Sequence, residues 1–228
     1  LRECWDLVRA SERTGMPCMM LENCCYGRNE LAALRMVREG LFGELVHAQC
    51  GYEHDLRARM PWGKKQETPD YRTIQNRLRN ADLYPTHGIG PVARCLNINR
   101  GNRFMTLTST ASKARGVRDW VDRNMEADHP AAEIEFALGD MVTSVIKCSG
   151  GETVVVMHSV TLPRPYSRDY RLQGTRGAWI ADRGSGVVHV EDRSPEHEWE
   201  PFEDYVEEYE SPLWERYQQM GERGGHGG

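Results

Sequence analysis

The chain has 228 residues, of which 39% are hydrophobic and 28% charged, with a formal net charge of −5. This length and composition are typical of a globular protein of one or two domains. The negative charge provides no basic surface for nucleic acid, and no apolar run approaches the length of a membrane span. None of the seven cysteines forms a CxxC pair, so we expect mostly buried, reduced thiols and no metal site.

The first segment has the pattern of a helix over residues 1–14, with Leu7 and Val8 on its apolar face and Gly15 as its end. The apolar run "MPCMMLEN", residues 16–23, then predicts a short buried strand. A helix that leads directly into a buried strand is half of a parallel α/β unit.

We therefore interpret residues 1–25 as the end of an upstream domain and residues 26–228 as a second domain. The chain begins without an initiator Met and ends in the glycine-rich "GERGGHGG". Both features predict a fragment that is truncated at its two ends.

The second domain opens with a predicted helix over residues 28–41, followed by a predicted strand in "ELVHAQCGYEHD". Residues 56–81 are polar and without a clear period, so we expect a long loop, which in compact domains is often functional. The stretch "DLYPTHGIGP", residues 82–91, predicts a strand-to-helix corner, because Pro85 restricts the backbone before it and glycines free the backbone after it.

From residue 104 the pattern changes to short strands, namely "FMTLTSTAS", "AEIEFAL", "MVTSVIKCS", "ETVVVMHSVTL", "YRLQGTRGAWIAD" and "GVVHVED". Hairpin signals separate them at Gly139-Asp140, at Gly150-Gly151 and at Gly184 with Gly186. This predicts a large, mostly antiparallel open sheet. The fold class is α/β (α+β).

Candidate chemistry lies in tyrosine and histidine side chains near strand ends, because the sequence contains no GxGxxG, GxSxG or HExxH motif. Tyr52, Tyr84, His87 and Tyr166 fit sugar binding and proton transfer. The alternative for each tyrosine is a core side chain with its hydroxyl at the surface. For His54 and His158 we expect the corresponding structural role.

The motifs "MMLENCCY", "LFGELVHAQCGYEHDLR", "DLYPTHGIGPVARCLNINRGNRF", "LTSTASKARG" and "LPRPYSRDYRLQGTRG" closely resemble glycoside hydrolase family 109. These are NAD-dependent α-N-acetylgalactosaminidases of the glucose-fructose oxidoreductase-like superfamily. The resemblance implies an N-terminal Rossmann domain that binds NAD and a C-terminal α/β domain with a large open sheet. Residues 1–25 would then end the Rossmann domain, and residues 26–228 would form most of the catalytic, substrate-binding domain.

The family chemistry implied by this resemblance needs no pair of carboxylates. NAD⁺ oxidises the C3 hydroxyl of the sugar, the resulting ketone acidifies the C2 hydrogen, and the C1 leaving group departs by elimination. Water then adds, and the hydride returns to C3. By position in the motifs, Tyr52 is the candidate base at C2, and His87 is the candidate partner of the C3 hydroxyl proton.

The resemblance also implies a set of sugar contacts in the "GYEHD", "YPTH" and "LPRPYSR" motifs and in the loop between them: Tyr52, Arg72, Tyr84, Pro85, Thr86, His87 and Tyr166. Asn23 in "LEN" matches an NAD contact at the end of a Rossmann strand, and the adjacent Glu22 faces the same site. Related oxidoreductases usually have a lysine after that glutamate. The presence of Asn23 argues against an ordinary dehydrogenase mechanism.

Two other interpretations remain open at this point: an NAD(P)-dependent sugar oxidoreductase of the same superfamily, or a non-catalytic fragment. We expect a small sugar or glycan as substrate, no nucleic acid or membrane partner, and a homo-oligomer. The resemblance allows a periplasmic or secreted location, with the cytoplasm as the alternative.

Overall fold

A computed structural model describes residues 2–65, 67–182 and 184–221; the glycine-rich end at 222–228, where we predict a truncation, lies outside them. Helix α1 (Arg2–Thr14) confirms the first predicted element. The buried strand predicted at 16–23 is wrong, because this segment has no strand partner and all its side chains except Glu22 are exposed, as in Met20 at 72%. Every strand of the sheet lies between residues 45 and 201.

The second predicted helix is present as α2 (Arg28–Arg38), which follows a short 3-10 helix (Asn23–Tyr26). Its apolar stripe packs inward, with Leu31 and Leu34 buried. The helix ends before residue 41, because the chain turns at Gly40, where φ is +82°.

One eight-stranded sheet forms the body of the protein, in the order β2-β3-β4-β1-β5-β6-β7-β8. The strands β1 and β4 run parallel, whereas the other neighbours are antiparallel, which confirms a large, mostly antiparallel open sheet. The strands are β1 (Leu45–Glu53), β2 (Phe104–Ala111), β3 (Val142–Cys148), β4 (Thr153–Ser159), β5 (Tyr170–Gly174), β6 (Gly177–Ala181), β7 (Val187–Val190) and β8 (Glu200–Pro201).

Within the part of the chain that the structure describes, helices cover one face of this sheet. That face carries alternate apolar side chains such as Ala48, Ile146 and Val154, which form one core with α2 and with α4 (Thr86–Cys95). The opposite face has few large apolar side chains and stays open; Thr108 and Val145 lie on it and are exposed. The remaining helices are α3 (Tyr71–Leu78), α5 (Gly116–Asn124), α6 (Glu203–Val206) and α7 (Pro212–Gly221).

Three expectations about the loops need correction. The predicted loop at 56–81 contains α3, which Asp70 begins by accepting from the backbone N–H groups of Arg72 and Thr73. The segment "AEIEFAL" is not a strand, because it lies in the crossover between β2 and β3 and packs irregularly into a second core around α5. For the same reason Gly139-Asp140 is not a hairpin turn.

The other two turn predictions are confirmed, since the 150–151 glycines join β3 to β4 and the 184–186 glycines join β6 to β7, both antiparallel pairs. The 82–91 corner is entered from a loop rather than from a strand, and α4 begins at Thr86. Among the described helices, none has both the length and the apolar character needed to cross a bilayer.

Candidate active site

The carboxyl end of β1 and the first turn of α4 meet at unusually close range. A Cβ atom at Gly88 would lie 2.7 Å from the backbone N and 2.9 Å from the backbone O of Gly51. Only glycine at position 88 permits this approach, which places Tyr52, the next residue of the strand, beside His87, the preceding residue of the helix. Gly88 therefore serves packing against the sheet, whereas Gly90 allows the close approach of Glu22 and Cys25.

A hydrogen bond from the sheet also fixes the backbone of His87. Pro91 lies inside α4 and has no N–H, so the His87 carbonyl, four residues earlier, lacks that helical donor. The hydroxyl of the buried Tyr170 on β5 donates to this carbonyl. The first turn of α4 is thus anchored to the sheet at the residue that carries the imidazole.

The side chains of this corner form a compact aromatic cluster around Tyr52. Its ring centroid lies 4.6 Å from that of Tyr84, 5.5 Å from His87 and 6.0 Å from Tyr166. Tyr84 and His87 are themselves 4.8 Å apart, edge to face. Three separate parts of the chain therefore deliver these four rings to one place, at the carboxyl end of a central strand.

A carboxylate contacts the imidazole of His87 directly. The Oε1 atom of Glu22 lies 2.7 Å from Nδ1 of His87, without the alignment of a regular hydrogen bond. Burial opposes ionisation of Glu22, but hydrogen bonds from the Cys24 backbone and the Thr86 side chain, together with the nearby imidazole, lower its pKa overall. Glu22 is therefore an anion that orients the ring and leaves Nε2 of His87 for another partner.

The same corner brings a thiol close to this pair. Within the described residues, ligand atoms of Glu22, Cys24 and His87 all lie within 4.8 Å of one another, which is metal-ligand spacing. Burial raises the pKa of Cys24 to about 11, so its thiol is protonated at neutral pH. The closest contact of the three is the carboxylate–imidazole pair of Glu22 and His87.

Arg72 supplies a positive charge to the cluster from the first turn of α3. Its guanidinium carbon lies 4.8 Å from the ring centroid of Tyr84 and 5.3 Å from that of Tyr71. Burial raises the pKa of Tyr52, and the Arg72 charge partly opposes that effect. Tyr52 is consequently a neutral phenol at neutral pH, and any role as a base requires further positive charge near its oxygen.

The Tyr166 loop is fixed to the end of β1 by a buried ion pair. Glu53 is 2% exposed, and its Oε1 lies 2.5 Å from an Arg164 nitrogen. Glu53 and Ser167 also exchange backbone hydrogen bonds of 3.0 and 2.9 Å. Burial raises the pKa of Tyr166 to about 12, so this hydroxyl is protonated as well.

The remaining residues predicted from the sequence lie at the edges of the cluster. Pro85 precedes α4, and Thr86 is half-buried with its hydroxyl towards Glu22. Glu22 contacts His87 directly, whereas the Asn23 side chain is exposed beside it. The structure thus brings all predicted sugar contacts together. Arg72 belongs to this group through the contact of its guanidinium with the Tyr84 ring.

Two histidines assigned a structural role also lie against Tyr52. His158 is buried at the end of β4 with its ring stacked 6.3 Å from that of Tyr52, and burial lowers its pKa to about 4. Nδ1 of His54 lies 3.4 Å from the Tyr52 hydroxyl, and its ring is 5.2 Å from that of Tyr166. The sequence signal for His54 was its place two residues after Tyr52, at the point where the strand ends.

Comparison with known proteins identifies the family that this chain resembles. The sequence profile described as "Glycosyl hydrolase 109, C-terminal domain" matches residues 26–228. All of this chain aligns with an alpha-N-acetylgalactosaminidase of Tannerella forsythia at 49% identity, covering 52% of that protein. A glycosyl hydrolase family 109 protein of Parabacteroides distasonis is 44% identical, again over all of this chain and 52% of the relative. The chain therefore spans about half the length of the relatives it matches.

Solved structures with the same fold are oxidoreductases. A levoglucosan dehydrogenase in complex with NADH and levoglucosan superposes with a TM-score of 0.60 at 14% identity, over 84% of this chain and 48% of that one. An NAD binding oxidoreductase from Klebsiella pneumoniae also gives 0.60, at 17% identity, over 87% and 49% of the two chains. At this level of identity the likeness establishes the fold alone.

Proposed function

Since the chain belongs to the glycosyl hydrolase 109 family, we propose that the complete protein hydrolyses α-N-acetylgalactosaminides with NAD as a recycled cofactor. The observation that carries this proposal is the cluster of Tyr52, Tyr84, His87 and Tyr166 at the end of β1. It combines hydroxyl donors, an imidazole and aromatic faces, which are the groups that hold a pyranose and move its protons.

The residues beside the cluster fit a bound NAD. Asn23 presents an exposed amide next to Glu22, and an amide both donates to and accepts from a carboxamide. NAD⁺, when bound, would take a hydride from C3 of the sugar and later return it. The oxidoreductases with this fold, among them the NADH complex of levoglucosan dehydrogenase, support this choice of cofactor.

His87 is the group we propose for the C3 hydroxyl proton. Glu22 holds Nδ1, so the proton would move to and from Nε2. An ionised carboxylate next to the ring stabilises the imidazolium that forms when the proton arrives. Glu22 therefore acts as a positioning residue on this proposal, whereas in sequence it was a candidate contact of the cofactor.

Tyr52 is the group we propose for the C2 proton. Its phenol is buried, and Arg72, with a smaller contribution from Arg59, provides positive charge that favours the tyrosinate. Tyr84, Tyr166, Pro85 and Thr86 then complete the sugar contacts. Because the Glu53–Arg164 pair anchors the Tyr166 loop, that ring is held in place before substrate arrives.

The test is release of p-nitrophenol from its α-N-acetylgalactosaminide by the complete protein with NAD⁺. We expect continued turnover without net accumulation of NADH. Stoichiometric NADH from a free sugar, with no release of p-nitrophenol, would instead identify a sugar oxidoreductase. Failure of the complete protein to bind NAD by calorimetry would support a non-catalytic role.

We further propose that residues 1–25 end a Rossmann domain and that 26–228 form the substrate domain of a homo-oligomer. The uncovered face of the sheet, which carries the exposed Val145, supports the oligomer. Light scattering on the complete protein tests it, since a Val145→Lys variant should dissociate while keeping its fold. A monomeric wild-type protein would contradict this part of the proposal.

A further inference from the structure

A polar cavity of about 370 Å³ is lined by Tyr84, by residues of α3 and by His158 at the end of β4. We call it the α3 cavity; its lining includes Met60, Arg72, Asn76, Asp82, Leu83, Tyr84, His158 and Val160. It shares Arg72 and Tyr84 with the proposed sugar site. His158 also stacks on Tyr52, so the cavity adjoins the ring that we propose acts at C2.

Four buried polar atoms of this lining have no hydrogen-bond partner within the described residues: Nε of Arg72, Oδ1 of Asn76, Oδ2 of Asp82 and Nδ1 of His158. Two of these side chains are almost completely buried, with Asn76 4% and His158 2% exposed. Buried polar groups in folded proteins are nearly always paired. Four unpaired atoms around one cavity therefore indicate a polar group that enters it.

The chemistry of the four atoms restricts what that group can be. The Arg72 Nε–H only donates, and the Asn76 oxygen only accepts. Burial raises the pKa of Asp82 and lowers that of His158, so low solvation disfavours a net charge on either. A mixed set of donors and acceptors of this kind suits a neutral group that both donates and accepts.

The apolar part of the lining adds a second requirement. Met60 and Val160 are buried at 0% and 2% exposure, and Leu83 lies beside them. A group that fills the cavity must therefore combine a carbonyl acceptor, an N–H or O–H donor and an alkyl end. An acylamino group has all three.

We propose that the α3 cavity receives the N-acyl group on C2 of the sugar, and that Asp82 and Asn76 determine specificity for it. This inference rests on the proposed function, because it places C2 at Tyr52. The carbonyl would accept from Arg72, the amide N–H would donate to Asp82 or Asn76, and the methyl would contact Met60 and Val160. A water takes about 30 Å³, so a cavity of about 370 Å³ has room for acyl groups longer than acetyl.

The experiment compares p-nitrophenyl α-galactosaminides that carry N-acetyl, N-propanoyl and N-butanoyl groups, using the complete protein with NAD⁺. We expect the wild type to accept all three, with kcat/KM values within about tenfold of one another. Leu83→Trp should lower kcat/KM for the N-butanoyl substrate at least tenfold more than for N-acetyl, because the indole shortens the cavity. Leu78→Trp is the matched control, since this exposed residue of α3 does not line the cavity.

Asp82→Asn tests the polar contact. The variant keeps an oxygen for the Tyr84 backbone N–H, which Asp82 Oδ1 accepts at 2.9 Å, but replaces the unpaired acceptor with a donor. We expect about a tenfold rise in KM for the N-acetyl substrate, the loss of roughly one hydrogen bond, with little change in kcat. Rejection of longer acyl groups by the wild type, or equal losses on all substrates in Leu83→Trp, would overturn the inference.

Failure of this inference is distinguishable from failure of the proposed function. Turnover of the N-acetyl substrate without any dependence on Leu83 or Asp82 contradicts the cavity assignment alone and indicates a cavity filled by water. If no substrate turns over, the binding of free sugars is measured by calorimetry. Tighter binding of N-butanoylgalactosamine to the wild type than to Leu83→Trp, or of N-acetylgalactosamine to the wild type than to Asp82→Asn, supports the cavity assignment. Equal or absent binding overturns it.

Discussion

Replacing Gly88 by Ala should disturb both folding and catalysis, because this position joins α4 to the sheet. The added Cβ would lie 2.7 Å from the Gly51 backbone nitrogen, whereas ordinary contacts begin near 3.4 Å, so the two backbones must separate by about 0.7 Å. Overpacking of this kind costs ~1–3 kcal/mol, and alanine recovers up to ~1 kcal/mol in a helix. We expect a net loss of about 1–2 kcal/mol, which lowers Tm by roughly 2–8 °C at this chain length.

The catalytic effect should be larger than the effect on stability. The same displacement separates His87 from Tyr52, and misplacement of reacting groups by about 1 Å costs about a hundredfold in rate. We expect turnover of the complete protein to fall ~10–100-fold. Denaturant unfolding of this chain and p-nitrophenol release by the complete protein measure the two effects.

Gly40→Ala provides the matched control for this comparison. Gly40 has φ of +82° and no neighbouring atoms within 4 Å of its added Cβ, so alanine there is strained without touching the site. We expect it to lose ~1–2 kcal/mol of stability with unchanged turnover. A Gly88→Ala chain that is as stable as the wild type and fully active would refute the account of the β1–α4 contact.

Other consequences of the site can be tested in parallel. Glu22→Gln removes the anion that orients His87 and should lower turnover about tenfold. The control Glu44→Gln changes an exposed carboxylate and should leave turnover unchanged. Equal activities of the two variants would contradict the positioning role of Glu22. If tyrosinate at Tyr52 is the base, turnover should rise with pH up to about tenfold per pH unit below its raised pKa, and Tyr52→Phe should be nearly inactive at every pH. His158 has a folded pKa of about 4 against a usual 6.5, so the unfolded chain binds the extra proton and stability falls as pH drops through this window. Between pH 7 and pH 4.5 the loss of unfolding free energy is roughly 2.4 kcal/mol, which denaturant unfolding at the two pH values measures. This loss should largely disappear in His158→Gln but persist in the exposed His197→Asn.

The fold was predictable where local pattern and packing agree. The alternation of "ETVVVMHSVTL" predicts β4, and the glycines at 150–151 set its turn from β3. The strand predicted at 16–23 was wrong because an apolar segment becomes a buried strand only when other strands flank it. Helix α3 was missed because eight residues give a weak period, although Asp70 was an available N-cap signal.

The site was predictable only in part, since its geometry depends on contacts between distant residues. The resemblance brought Tyr52, His87 and Tyr166 into one hypothesis, and the structure brings their rings together. No local pattern pairs Glu22 with His87, because the two meet only when α4 packs against the 3-10 helix that follows Glu22. The α3 cavity is likewise a product of packing, because helix α3 itself was not predicted.

We propose that the cluster around Tyr52 and His87 moves hydrogen at C2 and C3 of the sugar. Hydrolysis of p-nitrophenyl α-N-acetylgalactosaminide by the complete protein in D₂O measures this directly. We expect the released sugar to carry solvent deuterium at C2 but not at C3, and Tyr52→Phe to suppress both release and exchange. Release of a sugar that keeps its original hydrogen at C2 would contradict it.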